Sequence, residues 1–225
     1  GSDSGWQSRA AAFRAAVMST VFPPWPSYGD GEIRAVEKVM GSGKVNYWTG
    51  PECHEFEERF ASWAGCRHAI SLSNGTVALE LALKCLGVSR GDEVIVTPLS
   101  FIASASCVIT AGATPVFAEV DPETGNLSAE TIQRVITGKT RAVIAVHLGD
   151  LPCDMDPIME LASRHGFYVI EDCAQAHGAR CNGRSAGSIG HVAAWSFCQD
   201  KIISTGGEGG MVTTDDERLW RAMWS

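Results

Sequence analysis

The sequence predicts an α/β domain in which helices cover both faces of a mostly parallel sheet of seven strands. From Arg67 onward, short runs rich in β-branched residues alternate with helical stretches, the order expected when crossover helices join parallel strands. Residues 143–146 and 169–170 are continuously apolar, as in strands that are buried on both sides. The length of 225 residues suits one large domain better than two small ones.

The elements of this region follow from the same patterns. The predicted strands are residues 68–71, 93–97, 115–120, 142–147, 168–171, 192–197 and 211–214. The predicted helices are residues 76–86, 102–111, 128–136 and 156–165. Ser128 predicts the start of the third helix, because its hydroxyl can accept from free N–H groups, and Gly166 predicts the end of the fourth.

The chain before Arg67 has a different pattern. Residues 31–40 and 51–64 predict two amphipathic helices, and residues 41–50 form a glycine-rich loop between them. Residues 1–5 are small and polar, which is typical of the remnant of an expression tag. The predicted divisions are an N-terminal extension (1–20), a helical segment (21–66) and a large ligand-binding domain (67–225).

Composition and charge exclude some classes of protein. Hydrophobic residues make up 45% and charged residues 20%, which argues against disorder. The formal net charge of −8 disfavours sequence-independent binding of nucleic acid, which needs a basic surface. A locally positive pocket in such a protein can still hold an anionic substrate.

The eight cysteines predict reduced thiols of a cytoplasmic protein. None of them forms a C-x-x-C pair, and several lie in apolar runs where cysteine packs as a small hydrophobe. Cys53 precedes His54 and Cys66 lies two residues before His68, but neither pair has a second ligand pair at useful spacing. We therefore predict no metal site.

Residues 94–118 carry no charge, and their length would suit a membrane span. Pro98, Gly112 and Pro115 interrupt this stretch, so we predict a strand, a loop, a buried helix and a second strand inside a globular core. No basic segment precedes an apolar one near the N-terminus, and we predict neither a secretory signal nor a membrane association.

Candidate functional residues follow the predicted strands, at the edge where open α/β sheets bind their ligands. They are Ser73, Asn74, Gly75, Thr76, Ser100, Phe101, Asp172, Gln175, His177, Ser196, Cys198, Gln199, Asp200, Lys201 and the glycine-rich residues 206–210. Taken singly, each has a simpler explanation: Asp172 as a helix cap, Lys201 as a surface charge, Phe101 as part of the core. Their convergence on one rim of one sheet favours a functional site.

This combination of residue types matches the needs of pyridoxal phosphate (PLP) chemistry. A lysine forms a Schiff base with the cofactor aldehyde, a carboxylate pairs with the pyridine nitrogen, and an aromatic ring stacks on the pyridine. Backbone N–H groups at a helix start hold a phosphate. The sequence supplies these parts in Lys201, Asp172, Phe101, Gly75, Thr76 and Ser196. Neither a Walker A loop nor G-x-G-x-x-G is present.

From about Pro24 to the last residue, the sequence resembles the sugar aminotransferases of the DegT/DnrJ/EryC1/StrS family, which are PLP enzymes of fold type I. The matching motifs are Asn74-Gly75-Thr76-x-Ala78-Leu79, Gly91-Asp92-Glu93-Val94-Ile95, Gly112-Ala113-x-Pro115-Val116-Phe117, Asp154-Met155-Asp156, Glu171-Asp172-x-Ala174-Gln175-Ala176-x-Gly178-Ala179, Gly187-Ser188-x-Gly190, Ser196-Phe197-x-x-x-Lys201 and Gly207-Glu208-Gly209-Gly210. In this order and spacing they are specific.

The resemblance implies a three-layer α/β/α large domain and assigns a role to each residue. Lys201 would be the Schiff-base lysine and the catalytic acid and base, Asp172 would contact the pyridine nitrogen, and Gln175 would lie near the phenolic oxygen. The remaining roles are phosphate binding by Gly75, Thr76 and Ser196 and stacking by Phe101. A dehydratase branch of the family carries histidine in place of Lys201, so the lysine predicts transamination.

The resemblance also implies the reaction and the partners. An amino group would pass from an amino acid, by family analogy glutamate, to a nucleotide-linked keto sugar, for lipopolysaccharide or other amino-sugar biosynthesis. The active site would form in a homodimer. In the loop 41–50, Asn46, Tyr47 and Trp48 are candidate contacts to substrate or partner subunit, although simple interface packing is an equal alternative.

Two departures from the family pattern stand out. The family has a Tyr-Gly-x-Pro-like turn after the fourth strand, whereas this chain has Gly149-Asp150-Leu151-Pro152. Family members also continue through a smaller C-terminal domain beyond the position of Ser225. We therefore expect this sequence to be a fragment that lacks the small domain.

Three alternatives remain open on the sequence. The first is another reaction of fold type I, although no loop offers the mobile cysteine that a desulfurase needs. The second is a partner domain that binds PLP without catalysis. The third, a nicotinamide-binding Rossmann protein, is disfavoured because the glycine fingerprint is absent.

Overall fold

The computed structural model describes residues 24–224. The predicted N-terminal extension, residues 1–20, lies outside the described residues. A seven-stranded sheet has the order β1–β9–β8–β5–β4–β2–β3, and only β9 runs antiparallel to its neighbours. Its strands are β1 (His68–Leu72), β2 (Glu93–Val96), β3 (Thr114–Phe117), β4 (Thr140–Val146), β5 (Tyr168–Asp172), β8 (Val192–Ser196) and β9 (Gly210–Thr214). The predicted sheet is confirmed.

Seven α-helices are described between residues 24 and 224. They are α1 (Asp30–Ser42), α2 (Glu52–Ala64), α3 (Gly75–Cys85), α4 (Ala103–Thr110), α5 (Ala129–Gln133), α6 (Met155–His165) and α7 (Glu217–Met223). The Ser128 hydroxyl accepts from the N–H of Thr131 at the start of α5, and Gly166 ends α6 with a left-handed φ of 74°. Both predicted helix boundaries are confirmed.

Two predicted elements end three residues earlier in the structure. Strand β3 ends at Phe117 rather than at residue 120, because its partner β2 has only four residues and stops before Pro98. Helix α5 ends at Gln133 rather than at residue 136, because the chain tightens there into a turn in which Val135 N–H donates to the Ile132 carbonyl.

Two elements were not predicted. A small hairpin consists of β6 (Arg180–Cys181) and β7 (Arg184–Ser185), and its turn has positive φ at Asn182 and Gly183. Asn-Gly is a strong signal for such a turn, so the sequence did contain the information. Helix α7 begins after Asp216, whose carboxylate accepts from the N–H groups of Arg218 and Leu219.

The alternation of side chains along the strands divides the core into two layers. Outside β3, whose Val116 packs in the other layer, even-numbered strand residues pack with α3 and α4, as shown by Val94, Val96, Ala142, Ile144, Ile170, Val192, Ala194 and Val212. Odd-numbered residues pack with α5 and α6, or with α2, as shown by Ile95, Val143, Ala145, Val169, Ala193, Trp195 and Met211. The result is the predicted three-layer α/β/α arrangement.

Helices α1 and α7 bury no residue, but α7 packs the partly buried Leu219 and Met223 against the core, whereas α1 is not part of a core cluster in the described residues. Ile33, Val36 and Met40 share one face at helical spacing, and they are 51%, 59% and 71% exposed. Among residues 24–224, no helix combines the length and the apolar character needed to cross a bilayer. The charge-free residues 94–118 form β2, α4 and β3, as predicted.

Gly187 allows a close contact in the core and provides a test of this packing. Its φ is +85°, and a Cβ there would clash with the indole of Trp195. We expect Gly187→Ala to lower the free energy of unfolding by about 2–5 kcal/mol, since left-handed strain and overpacking add. Urea unfolding measures this loss.

Gly183→Ala is the matched control. Gly183 has a similar φ of +81°, but no atom lies within 4 Å of the position of a Cβ. We expect Gly183→Ala to lower the free energy of unfolding by only about 1–2 kcal/mol, the cost of the left-handed conformation. Equal losses in the two variants would show that the contact with Trp195 does not limit the size of residue 187.

Candidate functional site

A cleft of about 630 Å³ lies beyond the carboxyl ends of the parallel strands. Its volume is that of a typical small-molecule site. The structure brings together here all seven residues that the sequence predicts for cofactor binding and catalysis: Gly75, Thr76, Phe101, Asp172, Gln175, Ser196 and Lys201. They come from the ends of β1, β2, β5 and β8, because parallel strands end at the same edge of the sheet.

The start of α3 forms one wall of the cleft. The Asn74 side chain caps the helix by accepting from the N–H of Val77 at 2.9 Å. The N–H groups of Gly75 and Thr76 belong to the first turn, where an α-helix offers no internal acceptor, and both residues line the cleft. These N–H groups and the helix dipole favour an anionic group, such as a phosphate, at this wall.

Two close backbone approaches shape this wall. A Cβ on Gly75 would lie 2.9 Å from the Cβ of Ser196, so the helix start packs directly against the end of β8. A Cβ on Gly210 would clash with the backbone of Asn74. Small residues at both positions therefore create a narrow cradle in which Ser196 lies beside the helix start.

Asp172 lies at the base of the cleft. Its Oδ2 accepts from the Ser104 hydroxyl at 2.9 Å, and its Oδ1 accepts from the Ala174 N–H at 3.2 Å. Burial raises the pKa of Asp172, and these hydrogen bonds together with the charges of His147 and Lys201 oppose the rise. A buried carboxylate in this setting is suited to pair with a cationic ring nitrogen, which would replace the lost hydration.

Glu171 anchors the end of β5 on the opposite face of the sheet. Its Oε1 accepts from the N–H groups of Ile189 and Gly190, and its Oε2 accepts from the N–H of Gly187. Burial opposes the ionisation of Glu171, but the hydrogen bonds from His147 and the backbone outweigh it and lower the pKa.

The hydrogen bonds of His147 fix its tautomer. Its Nδ1 accepts from the Cys153 N–H at 3.1 Å, so in the neutral ring Nε2 carries the hydrogen. That Nε2 lies 2.9 Å from Glu171 Oε2 and donates to it. The pair is completely buried and locks the carboxyl end of β4 to that of β5.

Lys201 lies on a loop that closes over the cleft between β8 and β9. Backbone hydrogen bonds from Phe197 N–H to Gly209 and from Gln199 N–H to Gly207 hold the two arms of the loop together. The side chain of Lys201 is 20% exposed, and its Nζ lies 3.0 Å from Asp200 Oδ2. The amine is thus confined to the cleft but remains accessible to a ligand.

Phe101 and Gln175 complete the rim. The Phe101 ring is 72% exposed although it lines the cleft, so one face is free to contact a ligand. Gln175 Oε1 accepts from the Gly149 N–H at 3.0 Å, which leaves the amide NH2 as a donor. This bond holds the 3-10 turn Leu148–Asp150, where the sequence departs from the family turn.

Asn46, Tyr47 and Trp48 lie outside this cleft. The Asn46 side chain accepts from the N–H groups of Trp48 and Thr49, and the Tyr47 hydroxyl donates to the buried Glu57 at 2.9 Å. Tyr47 and Trp48, which is 82% exposed, line a separate aromatic cleft of about 330 Å³ with Trp224. Within this chain, the loop therefore does not meet the predicted cofactor residues.

Sequence reasoning missed three residues that shape the site: Ser104, His147 and Glu171. Ser104 follows Ser100 at helical i, i+4 spacing, a signal that the sequence contains. Glu171 and Asp172 are adjacent in a strand, which places them on opposite faces. Their partners, however, are 24 and 68 positions away in the chain, so no local pattern identifies them.

Fold and cleft together define a large α/β domain with a small-molecule site that combines an anion-binding helix start, a buried carboxylate and a lysine. Residues 26–225 match the model of the DegT/DnrJ/EryC1/StrS aminotransferase family. The chain belongs to this family, and the resemblance inferred from its motifs is confirmed.

Two named relatives and one solved structure support this family membership. The chain is 52% identical over 165 residues to GDP-perosamine synthase of Caulobacter vibrioides, covering 73% of this chain and 44% of that protein. It is 41% identical over 211 residues to L-glutamine:2-deoxy-scyllo-inosose aminotransferase of Streptomyces fradiae, covering 92% and 50%. An X-ray structure of an aminotransferase from Psychrobacter cryohalolentis shares 61% identity, with a TM-score of 0.90 and coverage of 91% and 52%. The chain spans about half the length of these relatives.

The free energy of unfolding tests whether Glu171 anchors the end of β5. In Glu171→Gln, the amide NH2 must face at least one backbone N–H. Both groups are hydrogen-bond donors, so at least one hydrogen bond is lost in the core. We expect a loss of about 3–5 kcal/mol in the free energy of unfolding at pH 7. Chemical denaturation measures this loss, and Glu160→Gln on the exposed surface of α6 should change stability by less than about 0.5 kcal/mol.

The pH dependence of this effect has a defined sign. Because the folded pKa of Glu171 is lowered from its ordinary value of 4.5, its contribution is present above pH 4.5 and is lost as the pH falls through the folded pKa. The difference between wild type and Glu171→Gln should therefore shrink in acid. A difference that stays constant from pH 7 to the folded pKa would contradict an ionised Glu171.

Proposed function

We propose that the protein containing this chain is a PLP-dependent aminotransferase that moves an amino group from glutamate to a nucleotide-linked keto sugar. The observation that carries the proposal is the meeting of Lys201, the buried Asp172 and the free N–H groups at the start of α3 in one cleft. Family membership supports the class of reaction. No other described arrangement in residues 24–224 combines an amine, a buried carboxylate and an anion site.

The residues of the cleft fit PLP by size, charge and hydrogen-bonding capacity. Bound PLP supplies an aldehyde for an amine and an aromatic ring that accepts electrons from a neighbouring carbon. In the proposed arrangement Gly75, Thr76 and Ser196 hold the phosphate. Phe101 covers the ring face, as the free face of its side chain allows.

Asp172 and Gln175 would set the electronic state of the cofactor. The Asp172 carboxylate would hold a proton on the ring nitrogen, because an unpaired charge at this buried position is costly. The amide NH2 of Gln175 would donate to the phenolic oxygen. Both residues are held by hydrogen bonds within the chain, so neither needs to reorganise when a ligand enters.

Lys201 would have two roles. Its Nζ would bind the cofactor at rest and, when free, would carry a proton between the α-carbon of the amino donor and C4′ of the cofactor as a general acid and base. The neighbouring Asp200 carboxylate, 3.0 Å away, offers a place for the charged amine between these events. The loop between β8 and β9 keeps the amine at the cleft throughout.

The substrate class is inferred from the names of two relatives. The Caulobacter relative is named for a GDP-linked amino sugar, which supports a nucleotide-linked substrate. The Streptomyces relative is named for an inosose and for glutamine as the donor, which supports a carbocyclic ketone and glutamine as the second candidates. The identity to the first is higher, and we therefore favour the nucleotide-linked sugar.

The proposed assembly is a homodimer. Helix α1 buries no residue, and its apolar face of Ile33, Val36 and Met40 needs a cover. The nearby loop with Asn46, Tyr47 and Trp48 presents an exposed indole. We propose that this loop contacts the partner subunit or the substrate held by it.

Lys201→Ala tests the cofactor assignment. We expect wild-type protein mixed with PLP to gain a visible absorbance band that depends on Lys201, and glutamate to remove it. The Lys201→Ala variant should lack the band, whereas Lys84→Ala, at an exposed position at the end of α3, should behave like wild type. A band of equal strength in Lys201→Ala would rule out the lysine assignment.

A direct comparison of acceptors tests the substrate class. With glutamate as donor, we expect kcat/KM for a GDP-linked keto sugar to exceed that for 2-deoxy-scyllo-inosose by at least about tenfold, or 1.4 kcal/mol of transition-state binding. Product formation is measured by mass spectrometry, with glutamine tested as donor in parallel. The reverse preference would favour the carbocyclic ketone.

A further inference from the structure

The hydroxyls of two serines form a chain of hydrogen bonds that ends at the Asp172 carboxylate, at the base of the cleft. Ser104 Oγ lies 2.9 Å from Asp172 Oδ2, and Ser100 Oγ lies 2.7 Å from Ser104 Oγ. Ser104 is 1% exposed and projects from the first turn of α4, whereas Ser100 is half-buried before that helix. Neither hydroxyl has a role in the mechanism above.

The direction of these hydrogen bonds follows from the chemistry of the groups. An ionised carboxylate only accepts, so Ser104 must use its single hydrogen to donate to Asp172. Ser104 then has only lone pairs left for its neighbour, and Ser100 must be the donor in the bond between the two hydroxyls. Each donation polarises the next, which strengthens the final bond to the carboxylate.

The start of α4 and the alternation along β5 place this hydrogen-bonded relay of Ser100, Ser104 and Asp172. Ser100 lies in the bend before α4 and Ser104 in the first turn of the helix, where the two hydroxyls meet at 2.7 Å. Asp172 is an even-numbered residue of β5 and faces the layer that contains α4, together with Ile170. A shift of one residue in either element would separate the hydroxyl from the carboxylate.

We propose that Ser104, supported by Ser100, is a positioning residue that fixes the orientation and the ionised state of Asp172. Its consequence for cofactor binding rests on the proposed function, whereas its effect on the carboxylate does not. The relay presents Oδ2 to α4 and thereby sets the plane of the carboxylate relative to the cleft. It also compensates for the lost hydration of a buried charge.

The surroundings of Asp172 explain why the carboxylate needs a hydrogen-bond donor such as the Ser104 hydroxyl. Burial raises its pKa, and the hydrogen bonds from the Ala174 N–H and the Ser104 hydroxyl lower it again. His147, directly after β4, and Lys201, on the loop after β8, also act to lower it. The Ser104 hydroxyl differs from both because it does not titrate, so it remains a donor at every pH.

Two thiols also lie near the carboxylate, and Asp200 and Glu208 line the same cleft. Burial raises the pKa of Cys107 on α4 to about 12 and the pKa of Cys173, the residue after β5, well above its ordinary value. Both thiols therefore stay neutral across the physiological range. Glu171 points to the opposite face of the sheet. We therefore expect loss of the Ser104 hydroxyl to raise the pKa of Asp172, because Ser104 is the one side-chain donor to this carboxylate among the described residues.

The test uses the full-length protein free of cofactor, labelled with 13C at the aspartate carboxyls, and assigns the Asp172 signal with Asp172→Asn. We expect Ser104→Ala to raise the pKa of Asp172 by about 1 unit or more, from the usual strength of a hydrogen bond to a charged acceptor. Ser104→Thr keeps a hydroxyl and should restore the wild-type titration. Ser106→Ala, on the same helix but away from the cleft, is the control.

A second readout follows the cofactor. We expect the dissociation constant of PLP to rise about tenfold in Ser104→Ala, with the acid limb of binding moved to higher pH, and to recover in Ser104→Thr. Ser100→Ala should shift both quantities in the same direction by a smaller amount. It also tests the relay if Ser104→Ala does not fold.

The outcomes separate the two proposals. A titration of Asp172 in Ser104→Ala that matches the titration in Ser106→Ala overturns the positioning role. A shifted titration in a protein that binds no PLP keeps the positioning role and defeats the proposed function. An unchanged titration with weakened binding overturns the relay as well, since Ser104 would then act on the ligand by another route.

Discussion

The alternation of side chains along β5 is the constraint on which the cleft depends. Adjacent residues of a strand face opposite sides, so Glu171 and Asp172 place two buried carboxylates in two different layers. Glu171 is held by three backbone N–H groups and by His147, which fixes the strand end against β4 and the chain after β7. With this register fixed, Asp172 can only face α4 and the cleft.

Close packing of small residues turns the sheet edge into a defined cavity. Gly75 lies against Ser196 and Gly210 lies against Asn74, so three strands and one helix start meet without side chains between them. The space that larger residues would fill is the space near the free N–H groups of α3. The close packing of the glycines thus keeps side chains away from the place where the N–H groups of α3 can bind an anion.

The cleft combines both signs of charge in an acidic chain. The net charge is −8, and the cleft is lined by the start of α3 and Lys201 as well as by the carboxylates of Asp172, Asp200 and Glu208. The N–H groups at the helix start act over short distances, whereas distant surface charges are screened by salt. An anionic cofactor or sugar nucleotide is therefore compatible with an acidic protein.

The sequence by itself determined the sheet of mostly parallel strands and the residues at its carboxyl edge, because hydrophobic periodicity and strand ends are local patterns. It identified Lys201 and Asp172 by residue type and by position after a strand. Only the tertiary structure decided which groups touch them. Ser104 reaches Asp172 across 68 positions of chain, and the Tyr47 hydroxyl is engaged by Glu57 rather than directed into the cleft. Such pairs depend on strand register and on helix packing, which bring together residues that no local pattern relates.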